Sequence, residues 1–141
     1  MADDHSMIRR GLKIFLQVNV DCQQIGEVVS CSDLLMEVVK KKYTHLILDI
    51  ILKDGNSLEI IPSIRSVAPD LKIMIFSMQP TEIYGPAVRK YGINFYMHKT
   101  AGEEDMLESL KKFLVGDHFE VVEAEPHLAY NPFSTLAPRE L

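Results

Sequence analysis

Long hydrophobic runs, paired cysteines and a surplus of basic charge are all missing from this chain of 141 residues. No apolar stretch approaches the roughly 20 residues that a membrane-spanning helix needs. The opening MADDHSMIRR puts charges where a signal peptide carries its apolar region. Only two cysteines occur, Cys22 and Cys31, and neither sits in a CxxC pair. That argues against a disulfide framework and a structural metal, and points to free thiols in a reducing cytoplasm. The net charge of -5 argues against nucleic acid as a direct partner, because phosphate backbones reward clustered Lys and Arg. The short basic groups Arg9-Arg10 and Lys40-Lys41-Lys42 read as solvated helix surface. The lysine run also suits a helix C-terminus, where cations offset the dipole. Repeats and low-complexity tracts are absent as well. The expectation is a soluble, cytoplasmic protein without a membrane partner, of one domain's size.

What is present is a periodicity that alternates between helix and strand, the pattern of a parallel α/β sheet. Ile8, Leu12, Phe15 and Leu16 mark one face of a helix over about His5 to Val18. Ile25 to Val29 reads as a strand. Ser32 and Asp33 offer an N-cap to a helix carrying Leu34, Leu35, Val38 and Val39. Leu46-Ile47-Leu48 is a short apolar run ending on Asp49, which fits a strand buried on both faces. After a turn at Lys53, Asp54, Gly55 and Asn56, Ser57 is placed to cap a helix with Leu58, Ile61 and Ile64, which Pro69 and Asp70 end. Ile73 to Phe76 is the next strand, ending on Ser77. Gly85 and Pro86 predict a short or kinked helix between Thr81 and Tyr91. Ile93 to Met97 leads to His98 and Lys99, and Glu103 to Val115 is a well-patterned helix with acids at its start. Beyond Gly116 the pattern dissolves, with a short edge strand possible within Glu120 to Glu125.

Ligands gather at the carboxyl ends of strands in an open parallel sheet. Asp49, Ser77 and Lys99 each end an apolar run and so converge on that edge, where Asp3 and Asp4 add two more carboxylates. Adjacent acids repel one another unless a cation lies between them, and Mg2+ prefers such hard oxygen ligands. Acids, a hydroxyl and an amine together suit the placing of a phosphoryl group on a carboxylate. Each residue alone has an ordinary role as turn former, loop hydroxyl, solvated amine or helix cap. Their joint occurrence at successive strand ends tips the balance. His5 and His98 lie near the same edge, where histidines packed at a strand or helix end are commoner than metal ligands.

The segments DDHSMIRRGLKIFL, LILDIILKDGNSLEII, IMIFSM and YGINFYMHKT make the chain resemble the response-regulator receiver family. The resemblance runs from Asp3 to about Val115 and is strongest to the subgroup joined to LuxR/NarL-type helix-turn-helix output domains. It implies a doubly wound, five-stranded flavodoxin-like sheet of order 2-1-3-4-5. It implies that Asp49 accepts a phosphoryl group from a sensor histidine kinase, aided by Ser77 and Lys99. Asp4, Asp49 and the carbonyl of Ile51 would bind Mg2+, with Asp3 acting through water, and Tyr96 would be the switch aromatic. A homodimer on phosphorylation and transcription control through a DNA-binding domain are the further implications. Such a domain is no enzyme beyond slow autophosphotransfer and autodephosphorylation. Lys53 stands where proline is usual, Ser57 where glycine is common, Met78 where many relatives have a small residue, and Thr100 where proline commonly follows the lysine. None removes a reacting group, and the apolar Ile51 and bulky Met78 are expected to slow water's attack on a phosphoryl-aspartate.

Two ends depart from that pattern. Only Met1 and Ala2 precede Asp3, so the first strand is largely missing. Truncation is the favoured account, beside a strand supplied by another copy or a rearranged sheet. At the other end STLAPREL resembles the opening of a LuxR-type DNA-binding domain, with Pro138 in a first turn. The expected division is a receiver over 1–116, a linker over 117–133 and the start of a truncated output domain over 134–141. A pseudo-receiver acting as a constitutive interaction module is the competing reading. A flavodoxin-like cofactor protein would want a glycine- and hydroxyl-rich phosphate loop where Asp3 and Asp4 stand.

Overall fold

The computed structural model describes residues 1–20, 22, 24–93, 95–115 and 120–122. Helix α1 covers Ser6–Asn19 and α2 covers Cys31–Lys40. Strand β1, His45–Leu48, is followed by a two-residue hairpin of β2, Ile51–Leu52, and β3, Gly55–Asn56. A 3-10 turn at Ser57–Ile60 runs into α3, Ile61–Val67. Then come β4 (Lys72–Ser77), α4 (Thr81–Lys90), β5 (Phe95–His98), α5 (Glu103–Val115) and β6 (Glu120–Val122).

Strands β1, β4, β5 and β6 form a parallel sheet in that order. Period-two alternation sends the side chains of β1, β4 and β5 to two separate cores. Leu46, Leu48, Ile73, Ile75 and Tyr96 face α2, α3 and α4, where they pack with Leu34, Ile61, Ile64 and Val88. Ile47, Met74, Phe76, Phe95 and Met97 face the other way, onto Leu12 and Leu16 of α1 and Leu110 and Phe113 of α5. Two helical layers therefore clamp a sheet that is apolar on both sides, which is the expected doubly wound architecture.

The place of the first strand is held by one residue. Ala2 bridges in parallel to Val28 on one side and to Leu48 on the other. Its amide donates to Ile47 O at 2.8 Å and its carbonyl accepts from Asp49 N at 2.9 Å, while Asp3 N donates to Val28 O at 3.1 Å. The order is thus Val28, Ala2, β1, β4, β5, the expected 2-1-3-4-5, and the sheet is not rearranged. Ile25 to Val29, expected as a strand, is reduced to the single bridge at Val28, because so short a neighbour offers no ladder to extend.

Local differences have local causes. The N-cap of α2 is Ser30 rather than Ser32 or Asp33, its hydroxyl accepting from Asp33 N at 3.1 Å. Asp54 adds a second cap by accepting from Cys31 N at 2.6 Å and Ser32 N at 3.2 Å. These amides, Cys31 first, hold the Asp54 carboxyl below the usual carboxylate range. Asn56 rather than Ser57 caps the following turn, accepting from Leu58 N at 2.9 Å. Helix α4 is continuous across Pro86. The preceding Gly85 has no Cβ to collide with the proline ring, so the helical conformation before it is allowed. Gly92, at φ 74, then turns the chain out of α4 toward β5. Strand β6 lies inside the stretch expected as linker, and residues 123–141, with the STLAPREL segment, fall outside the described residues.

Candidate functional site

Asp49 follows β1 directly, and its position is fixed from two sides. Its amide is held by Ala2, and its carbonyl accepts from the buried Ser57 hydroxyl at 2.6 Å. The same Ala2 carries Asp3 as its next residue, so one backbone bridge brings two carboxylates together. Both are buried, each 5% exposed. Buried carboxylates need a partner, and Lys99, at the end of β5, supplies it. Lys99 Nζ lies 2.6 Å from Asp3 Oδ2 and 2.8 Å from Asp49 Oδ2. Burial pulls the Lys99 ammonium down, but bonds to Asp3 and Asp49 outweigh it and raise its pKa above the ordinary value of 10.5. Its amide donates to Ser77 O at 2.9 Å, which ties the ends of β4 and β5 together.

Ser77 is buried, and its hydroxyl accepts from Gln79 N at 3.1 Å. Tyr96 is 1% exposed, with its hydroxyl donating to Gln79 O at 2.8 Å. The aromatic expected as a switch is therefore packed inward and bonded to the loop that follows Ser77. Ile51 begins β2, two residues past Asp49, with a half-exposed side chain at the rim.

The acid pair faces the same rim. Donor atoms of Asp3, Asp4, His5 and Asp49 all lie within 4.8 Å of one another. Three carboxylates against one ammonium leave an excess of negative charge, and hard oxygen donors at this spacing fit a small divalent cation. His5 belongs to the cluster. Its Nδ1 is 3.0 Å from Asp3 Oδ1 and 3.2 Å from Asp4 Oδ1. His98 does not belong to it, because Nδ1 accepts from Thr100 N at 3.1 Å and Nε2 meets Met78 O at 3.0 Å. The sequence offered no means of separating the two histidines, since both adjoin site residues and only the backbone path after each decides its direction. It also missed Ser57 as a support for Asp49, for a serine after a turn signals a cap first.

The family model described as response regulator receiver domain matches residues 1–111. Response regulator protein VraR of Staphylococcus epidermidis is 24% identical over 117 residues, which is 82% of this chain and 55% of that protein. VraR of Staphylococcus aureus is 23% identical over 117 residues, with the same coverage. The chain spans about half the length of these curated relatives, 55% in both cases. Among solved structures, a LuxR-family two-component response regulator from Aurantimonas sp. SI85-9A1 superposes with a TM-score of 0.76 at 17% identity, covering 91% of this chain and 89% of that one. A response regulator protein from Burkholderia pseudomallei, crystallised with a phosphorylated aspartic acid, calcium ion and citrate, gives 0.68 at 18% identity, covering 80% and 66%. At these identities the structural likeness carries the fold.

Proposed function

From the premise that the chain belongs to the response regulator receiver domain family, we propose that Asp49 is its phosphoacceptor and that a sensor histidine kinase is the donor. A receiver domain is a regulatory part of a two-component system rather than an enzyme, so its chemistry need only load and unload one carboxylate. The observation that carries the reading is the buried Asp49 carboxylate with Lys99 Nζ 2.8 Å from its Oδ2 and Asp3 beside it.

The transfer breaks the bond between phosphorus and the kinase's histidine nitrogen and forms one between phosphorus and an Asp49 oxygen. Lys99 is placed to offset the charge of the incoming group. Asp4, Asp49 and the Ile51 carbonyl would hold Mg2+, with Asp3 acting through water. When bound, Mg2+ supplies neutralisation of the charge on the phosphoryl oxygens. Ser77 would leave its bond from Gln79 N and donate to the phosphoryl group. Gln79 also accepts from Tyr96, so movement of that loop is coupled to the face formed by α4, β5 and α5. Homodimerisation through that face, and control of transcription through a helix-turn-helix region, complete the reading. Slow hydrolysis of the phosphoryl-aspartate would reset it.

The inward packing of Tyr96 favours a second reading, a pseudo-receiver locked in one conformation that acts as an interaction module. Beryllofluoride, a mimic of the phosphoryl group, separates the two. Saturable uptake that needs both Mg2+ and Asp49, with shifts in the spectra of residues 77–98, is the expected result. No uptake at any Mg2+ concentration leaves only the interaction module.

A further inference from the structure

We propose that His5 is a nitrogen ligand at the acidic rim, and that it makes this site favour borderline first-row divalent cations over Mg2+. The inference rests on the reading of the rim as a cation site and assigns it a selectivity that oxygen donors alone do not give.

The geometry begins in the backbone. His5 N donates to Asp3 Oδ1 at 2.8 Å, which folds the residue back over the acid pair at the start of α1. The ring follows, placing Nδ1 3.0 Å from Asp3 Oδ1, 3.2 Å from Asp4 Oδ1 and 3.9 Å from Asp49 Oδ2. Two ligands bonded to one ion at about 2.1 Å and at right angles lie about 3.0 Å apart, and opposed ligands lie about 4.2 Å apart. The three separations fall in that range, so the ring nitrogen already stands at ligand spacing. Asp3 divides its two oxygens between partners, Oδ2 to Lys99 and Oδ1 to the His5 side. Lys99 Nζ also stands 3.5 Å from His5 Nδ1 and 2.8 Å from Asp49 Oδ2, so an ion bound to the ring takes the place of these contacts while Lys99 keeps Asp3 Oδ2. The His5 side chain is 62% exposed, which leaves the ring a path to an ion arriving from solvent.

The chemistry follows from the donor set. Mg2+ demands hard oxygen ligands and gains little from imidazole. Co2+, Ni2+ and Zn2+ bind imidazole well, and affinity rises along the first row to Cu2+ before falling at Zn2+. One nitrogen among three carboxylates therefore tilts the site toward these ions. Competition at the rim would then make phosphoryl loading sensitive to the ratio of the two kinds of metal.

Co2+ is a suitable probe because its visible spectrum reports nitrogen ligation directly. The unaltered chain, His5→Ala and His5→Gln are titrated with Co2+ and with Mg2+ at one fixed pH. The expected result is a loss of Co2+ affinity of roughly tenfold or more in both variants, with a changed visible band. Mg2+ affinity should move less than about twofold. An equal loss for both ions would show that His5 only positions Asp3, and no loss for either would show that it touches no ion; both outcomes overturn the proposal. Beryllofluoride uptake by the unaltered chain in Mg2+ is measured alongside, so that failure of the receiver reading is seen separately from failure of the His5 assignment.

Discussion

Asp3, Asp4 and Asp49 bring three carboxylates to one rim, and Lys99 brings the ammonium that meets two of them. Three carboxylates held this close repel one another, which costs the fold stability. Asp49→Asn should therefore stabilise the chain. The amide oxygen can still accept from Lys99, and Lys99 keeps Asp3 at 2.6 Å. The expected gain is about 1 kcal/mol in urea unfolding; a loss of that size would mean that the Asp49–Lys99 pair outweighs the repulsion. Asp49 and Lys99 were legible in the sequence because each ends an apolar run, and strand ends in a parallel sheet converge on one edge. His5 was not, because its direction depends on a single backbone bond to Asp3 Oδ1.

Among the elements, α4 carries the clearest tension. Pro86 lies in its interior and is exposed, so its ring contributes little packing while it removes one helical hydrogen bond. Pro86→Ala should restore that bond and stabilise α4 by about 1–3 kcal/mol, read as slower amide exchange within Thr81–Lys90. Unchanged exchange, or a less stable protein, would show that the ring is needed for packing. The sequence predicted a short or kinked helix here, and the pairing of Gly85 with Pro86 explains why the helix runs on. The short apolar strands β1 and β4 were legible because burial on both faces leaves a continuous hydrophobic signature. Val28 was misread as part of a full strand for a different reason: the local pattern was strand-like, but Ala2 offers it only one partner.

At the scale of the whole molecule, three groups tie stability to alkaline pH. Burial, with Asp54 beside it, pushes the Cys31 thiol from 9.0 up to about 11. Burial, with the bond from its hydroxyl to Glu37 at 2.7 Å, pushes Tyr43 from 10.0 up to about 12. Lys99 is raised from 10.5 because its bonds to Asp3 and Asp49 outweigh burial. All three folded-state values lie above the unfolded ones, so the stabilisation is complete below pH 9.0 and is lost as pH rises through the folded values. The urea midpoint should fall steadily from pH 9 toward pH 12, and Tyr43→Phe should flatten the upper part of the fall. A midpoint that holds or rises across that window would contradict the assignment.

The same molecule presents its chemistry at one edge and its two helical layers away from it, so loading Asp49 is the event on which the functional account turns. Incubation of the unaltered chain and of Asp49→Asn with acetyl phosphate, with and without Mg2+, read by intact mass and peptide mapping, tests that event directly. The account predicts one added phosphoryl group, dependent on Mg2+, mapped to Asp49 and absent from Asp49→Asn. Labelling that persists in Asp49→Asn, or that never occurs in the unaltered chain, would contradict it.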